Sequence, residues 1–204
     1  GFRIVEFNRP ADVYVINTCS VTGVAEGKSR YTIRRATRWN PEAAVIVTGC
    51  AAQMAINKGE VVEGASLVVP NPEKLATFEH AVRSGIIPLP QAKRSEERRS
   101  IPAHSRTRAT LKIQDGCSVL CSYCSIPYTR PGMVSRPADE VVAEAEALAE
   151  RGYRELVLTG VLIGAYGPET GSGGPDFEDL IERLCRAVPD SRIRISSIEL
   201  RQVT

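Results

Sequence analysis

The chain lacks an apolar run long enough to cross a bilayer: its longest, 43–52, is interrupted by Thr48 and Gly49, whereas a spanning helix needs about 20 apolar residues. No membrane partner is expected. No basic stretch followed by an apolar one opens the sequence, so a secretory signal is not expected either. Residue 1 is a glycine that already leads into a β-rich segment, which reads as an excerpt of a longer chain. Net charge is also scarce, at +2; a nucleic-acid partner must then be argued from where charge is placed, not from its sum. The six cysteines form no even-spaced framework, which argues against a secreted disulfide scaffold and for a reducing compartment, the cytoplasm. A hydrophobic content of 43% and a charged content of 25% exclude disorder throughout. The 204 residues allow one large domain or two small ones.

Residues 3–7 and 13–16 are short β-rich runs, and 44–47 and 67–69 repeat the type. The last three are continuously apolar, as in parallel strands covered by helices on both faces. Helical patterns at 24–39 and 73–83, the second opened by Asn71-Pro72 and closed by Gly85, give an alternating βαβ order. That order predicts a small doubly wound α/β domain over 1–85. From 86 to 108 periodicity fails, and Pro88, Pro90 and Pro102 mark a linker. Between Lys93 and Arg108 it carries six basic residues against Glu96 and Glu97, which suits either a polyanion or a solvated tether. Strand pattern returns at 109–114. A helix from Pro137 to Gly152 follows, with an apolar stripe of Val141, Val142, Ala145, Leu148 and Ala149. A strand at 155–159, a glycine-rich loop at 160–175, a helix at 177–188 and a strand at 192–198 complete a second domain, 109–204, in barrel-like βα order. Cys185 reads as core beside Leu180, Ile181 and Leu184.

Three cysteines, Cys117, Cys121 and Cys124, fall within eight residues in a C-x3-C-x2-C spacing. Thiolates so placed hold zinc or an iron–sulfur cluster. Cys19, Cys50, Cys185, His80 and His104 do not form the second half of a zinc module, which weighs against zinc. Three ligands on a four-iron cube leave one iron open to a substrate. Cys19 and Cys50 each follow the C-terminal end of a predicted strand, where open α/β sheets bind ligands; by spacing alone each also reads as an ordinary half-buried thiol. At 100° per residue, Lys28, Arg30, Arg34, Arg35 and Arg38 share one arc of the first helix, opposite Ala25, Ile33 and Ala36. That face suits phosphates, or simply solvent. His80 and His104 read as surface residues.

The cysteine loop, with Tyr123 just before its last cysteine, resembles the cluster loop of the radical S-adenosylmethionine (SAM) enzymes. Lys112-Ile113-Gln114-Asp115-Gly116-Cys117, Ser125-Ile126-Pro127-Tyr128-Thr129-Arg130 and Ser135-Arg136-Pro137 are similar to the methylthiotransferase branch, although Arg130-Pro131-Gly132 stands where Arg-Gly is usual. Asn17-Thr18-Cys19-Ser20-Val21-Thr22, Lys28-Ser29-Arg30, Ile33-Arg34-Arg35, Asn40-Pro41 and 47–53 resemble that family's N-terminal domain. The resemblance implies the first part of a partial (βα)6 barrel after the N-terminal domain, with the remaining strands and an RNA-binding β-domain beyond residue 204.

It further implies two 4Fe-4S clusters. Cys117, Cys121 and Cys124 would hold the one that binds SAM, which is cleaved to a 5′-deoxyadenosyl radical. Cys19 and Cys50 match the second and third ligands of an auxiliary cluster whose first ligand would lie upstream of Gly1. Tyr123 would pack near the adenine, Thr159 and Gly160 would meet the SAM amino group, and Ser197 and Glu199 the ribose. Arg34, Arg35 and Arg38 would contact RNA. The expected product is a methylthio group at C2 of N6-threonylcarbamoyladenosine at tRNA position 37, with tRNA and an electron donor such as flavodoxin or ferredoxin as partners. Isopentenyladenosine-37 of tRNA and a ribosomal protein aspartate are the alternative substrates. An iron–sulfur protein that binds RNA or carries electrons without cleaving SAM, and a zinc-stabilised module, are the non-enzymatic alternatives.

Overall fold

The computed structural model describes residues 2–88, 107–167 and 175–202. Most of the linker with its basic run, His104, and part of the glycine-rich loop lie outside the described residues. The chain forms two compact units, one of Gly1–Glu96 with Val119–Pro131, the other of Glu97–Ser118 with Gly132–Thr204.

In the first unit, β1 (Val13–Thr18), β2 (Ala44–Gly49) and β3 (Leu67–Val68) form a parallel sheet in that order. Central β2 is apolar over 44–47 because both its faces are covered. Val45 and Val47 pack with Ile33 and Ala36 of α1 (Gly23–Trp39), while Ile46 packs with Val69 and Ala81 on the other side. β1 differs from the expectation of burial on both faces. It is an edge strand, and Val15 points outward at 59% exposure. Thr22 opens α1 by accepting the Ala25 N–H on its hydroxyl, satisfying one of the free donors of the first turn.

The run 3–7 is not a strand. Its aromatic Phe7, 40% exposed, instead packs edge-on against Tyr14 and beside Trp39, so ring contacts take the place of a ladder. The helix expected over 73–83 is split into a 3-10 turn, Asn71–Ala76, and α3, Thr77–Arg83. Pro72 has no N–H to donate, which suits the opening turn only. A further helix, α2 (Cys50–Lys58), follows β2 without a loop and ends at Gly59 in the left-handed region, φ +67°. Its Cys-Ala-Ala-Gln start is too short and too apolar to separate by pattern from the strand before it.

In the second unit, β4 (Arg108–Lys112), β7 (Glu155–Thr159) and β8 (Arg192–Ile195) form a parallel sheet in the order β4-β7-β8. Leu111, Leu156 and Leu158 are buried against Val141 and Ala145 of α5 (Ala138–Glu150) and Leu180 and Leu184 of α6 (Phe177–Ala187). The run 109–114 is not one strand. At Ile113 the chain leaves the parallel sheet: the Ile113 N–H donates to the Thr159 carbonyl and its own carbonyl accepts from Arg136 N–H. From there β5 (Gln114–Gly116) pairs antiparallel with β6 (Met133–Ser135). α6 starts with a reciprocal cap between Asp176 and Asp179. β8 ends at Ile195, three residues short of the expected strand end.

Cys185 is exposed, not core. The buried stripe of α6 runs through Leu180 and Leu184, one turn apart, and residue 185 lies about 100° further round. Replacing Leu184 by Ala should therefore cost about 2–5 kcal/mol of unfolding free energy. Cys185→Ser should stay within about 0.5 kcal/mol of wild type. Urea denaturation followed by circular dichroism measures both, and equal losses would contradict this packing.

Candidate functional site

Parallel strands deliver their C-terminal ends to one edge of a sheet, and Cys19 and Cys50 stand there. Thr18 and Gly49 are register partners on β1 and β2, so Cys19 and Cys50 are the next residues on neighbouring strands. Their approach is close enough to require a glycine. Gly49 has φ +97°, and a Cβ placed on it would lie 2.4 Å from the Thr18 carbonyl oxygen. The Thr18 hydroxyl ties the two ends by donating to the Thr48 carbonyl at 2.7 Å and accepting the Ala52 N–H at 3.0 Å. Cys19 is half-buried, and its N–H donates to the Ser29 hydroxyl of α1 at 3.2 Å.

Cys50 is 3% exposed. Its sulfur accepts from Asn71 Nδ2 at 3.7 Å and from Arg130 Nε at 3.4 Å. A cavity of about 360 Å³ is lined by Thr18, Ser20, Ala51 and Ala52, neighbours of the two cysteines in sequence, but not by either cysteine. The Ser20 hydroxyl is buried there with no hydrogen-bond partner among the described residues.

The segment that carries Cys121 and Cys124 belongs to this same unit. The Cys124 N–H donates to the Cys121 carbonyl at 3.0 Å, closing one turn between them, and α4 (Ile126–Thr129) follows. Asn57 Nδ2 donates to the Tyr128 carbonyl at 2.7 Å and Asn71 Nδ2 to the Thr129 carbonyl at 2.8 Å. Gln53 of α2 holds both asparagines, donating to the Asn57 side chain and accepting the Asn71 N–H. Tyr123 is 90% exposed.

In the second unit, Cys117 follows β5 and is 9% exposed. The residue that organises its approach is Gln114, fully buried three positions earlier. Its Nε2 donates to the Asp115 and Gly116 carbonyls at 3.0 and 2.8 Å. Its Oε1 accepts the Val161 and Leu162 N–H groups, both at 2.9 Å. One amide thereby fixes both the start of the cysteine loop and the turn after β7. Gly160 in that turn is tightly packed: a Cβ would lie 3.1 Å from Gln114 Oε1 and 3.0 Å from Ile163 Cγ1, so these side chains would have to give by a few tenths of an ångström. Thr159 donates to the Leu111 carbonyl at 3.4 Å. Ser197 and Glu199 lie beyond β8, and the Glu199 N–H donates to Gln202 Oε1.

On the basic arc of α1, Arg30 pairs with Glu26 and Arg34 with Glu63. Arg35 lies over the Trp39 ring at 4.1 Å, and Arg38 is exposed. His80 donates from Nε2 to Glu73 at 2.6 Å.

Residues 111–202 match the Radical SAM superfamily, and residues 1–69 match a family described as uncharacterized protein family UPF0004. The chain is similar to proteins named threonylcarbamoyladenosine tRNA methylthiotransferase MtaB. One from Bacillus subtilis is 40% identical across 100% of this chain and 47% of its own length. Another from Chlamydia pneumoniae is 37% identical across 99% and 45%. A protein from Colwellia psychrerythraea named tRNA-2-methylthio-N(6)-dimethylallyladenosine synthase is 33% identical across 97% and 43%. This chain belongs to the radical SAM methylthiotransferase family. It spans about half the length of the curated relatives it matches. Among the described residues no helix is long and apolar enough to cross a membrane.

The donors present fit the iron–sulfur clusters of a radical SAM methylthiotransferase. The sulfur of Cys50 accepts from the N–H groups of Asn71 and Arg130, an environment that suits a thiolate ligand. No group of three His, Cys, Asp or Glu side chains among the described residues closes on a point that would hold one ion. A four-iron cube takes each thiolate on a separate iron and asks for a wider arrangement.

Sequence reasoning missed Gln114, Gly49, Asn71 and Arg130 as supporting residues. A glutamine closing an apolar strand just before the cysteine loop was the one available signal. Gln114→Leu should remove four side-chain-to-backbone hydrogen bonds, those of the part-buried Val161 and Leu162 N–H groups among them, at roughly 1–3 kcal/mol for each group left unsatisfied. The expected outcome is a lower melting temperature together with a fall in bound iron after anaerobic reconstitution. Unchanged iron content and stability would remove Gln114 from this role.

Proposed function

We propose that this chain supplies the cluster-holding part of a radical SAM enzyme that adds a methylthio group to C2 of N6-threonylcarbamoyladenosine at tRNA position 37. The observation that carries the reading is the three-thiol loop of Cys117, Cys121 and Cys124, placed after β5 within the segment that matches the Radical SAM superfamily. The choice of nucleoside is supported by similarity: relatives named for threonylcarbamoyladenosine reach 40% and 37% identity, against 33% for one named for dimethylallyladenosine.

Cys117, Cys121 and Cys124 would hold one 4Fe-4S cluster and leave one iron open, and Cys19 and Cys50 would contribute two ligands to the auxiliary cluster. With SAM bound, the clusters supply one-electron chemistry that removes an unactivated hydrogen, and sulfur for the new bond. The rest of the work falls to the protein, which binds, orients and excludes water. Gln114 holds the turn at Val161 and Leu162 in place, so that the backbone at Thr159 and Gly160 is presented to the SAM amino group. Tyr123, exposed on the loop, offers a ring for the adenine, and Ser197 and Glu199 offer polar atoms for the ribose. Arg34 and Arg38 present charge to tRNA phosphates. Arg35 is engaged over Trp39 and contributes less. The domain organisation that goes with this reading is an N-terminal domain over 1–85, a linker over 86–108, and the radical SAM domain from 109. A flavodoxin or ferredoxin would deliver the electron, in the cytoplasm where tRNA is modified.

The test uses the full-length protein, reconstituted anaerobically and reduced, with SAM and tRNA carrying either N6-threonylcarbamoyladenosine or isopentenyladenosine. Mass spectrometry of digested nucleosides should show methylthio addition to the first only, with 5′-deoxyadenosine formed alongside. Addition to the second would move the assignment to the alternative tRNA substrate. Bound cluster with no deoxyadenosine would favour the non-enzymatic iron–sulfur reading.

A further inference from the structure

Within the first unit, the residue just after α4 reaches a cysteine 80 positions earlier in the chain: Arg130 Nε donates to Cys50 Sγ at 3.4 Å. Asn71 makes the second donation to the same sulfur, at 3.7 Å, while its other amide hydrogen holds the Thr129 carbonyl at 2.8 Å. Asn57 fixes the preceding carbonyl, that of Tyr128. The guanidinium is thus delivered to the sulfur by a backbone anchored at two successive residues. Cys50 is 3% exposed, so the interaction lies where water screens it little.

We propose that Arg130 is a positioning residue for the auxiliary cluster, donating to the Cys50 thiolate and raising the reduction potential of the iron it binds. The proposal rests on Cys50 being an auxiliary-cluster ligand. Its physical basis is charge. Reducing a cluster adds one negative charge, and a cation that donates a hydrogen bond to a ligating sulfur favours the more negative state. A thiolate on iron keeps lone pairs that can accept such bonds, so ligation and donation are compatible. Because Arg130 lies six residues after Cys124 on the same segment, one short stretch of chain would carry ligands of the radical cluster and set the electronics of the auxiliary one.

The experiment is an anaerobic redox titration of the full-length holoprotein, followed by electron paramagnetic resonance. The auxiliary signal is identified as the one that survives Cys117, Cys121 and Cys124 to Ala and is lost in Cys50→Ala. Arg130→Met should shift its midpoint to more negative potential with iron content unchanged, and Arg130→Lys, which keeps the charge but not the planar fork, should lie between Met and wild type. The radical-cluster midpoint should not move. A purely structural role would lower iron content in Arg130→Met without a graded shift in Arg130→Lys, and would overturn the proposal, as would identical auxiliary midpoints in all three proteins. If no iron survives the triple cysteine substitution, the auxiliary-ligand reading of Cys50 fails, and the proposal fails with it.

Discussion

Parallel pairing constrains this molecule more than any other single interaction. Antiparallel strands return their ends to both edges of a sheet, whereas parallel strands bring every C-terminal end to one edge. In the first unit that edge carries Cys19 and Cys50, one residue past the paired Thr18 and Gly49. In the second, β4 and β7 bring Ile113 and Thr159 into hydrogen bonding, so Gln114 faces the turn that follows Gly160. The chemistry-bearing loops of both units are therefore consequences of register. A shift of one residue would reverse which side chains face the core and displace each of these groups.

Around those strand ends the supporting interactions are polar, buried and few. Gln114 satisfies four backbone groups with one amide, and Thr18 spans β1 to β2 with one hydroxyl. Such groups cost much to leave unpaired and little to keep paired. They hold a loop in one conformation more sharply than apolar packing does. Glycine has the complementary part: at Gly49 a side chain would collide with the neighbouring strand end, and at Gly160 it would press against Gln114 and Ile163. The exposed residues of the cysteine loop, Tyr123 above all, contrast with this fixed frame.

Much of this was legible in the sequence because it rests on local pattern. The apolar run 44–47, the helix-period residues Ile33 and Ala36, and the alternation of Leu156 and Leu158 each mark a core face. What was not legible depended mostly on partners distant in the chain, and for Cys185 on the rotation of its helix. Val15 is as apolar as Val45, and only the strand order makes it an edge residue. Cys185 sits next to buried Leu184, and 100° of helix rotation decides its exposure. The segment 3–7 has strand composition but finds aromatic neighbours in place of a strand. Asn71, a conventional helix-start residue by pattern, and Arg130, an ordinary basic residue by pattern, acquire roles only because α4 packs where both reach Cys50.

The central proposal is that two sets of cysteines would hold two separate four-iron clusters in the full-length protein. Anaerobic iron and sulfide analysis with Mössbauer spectroscopy tests it most directly, comparing the full-length wild-type protein with the variant in which Cys117, Cys121 and Cys124 are alanine. The account predicts two four-iron clusters in the wild type and one in the variant. Zinc in place of iron, or no loss on substitution, would contradict it.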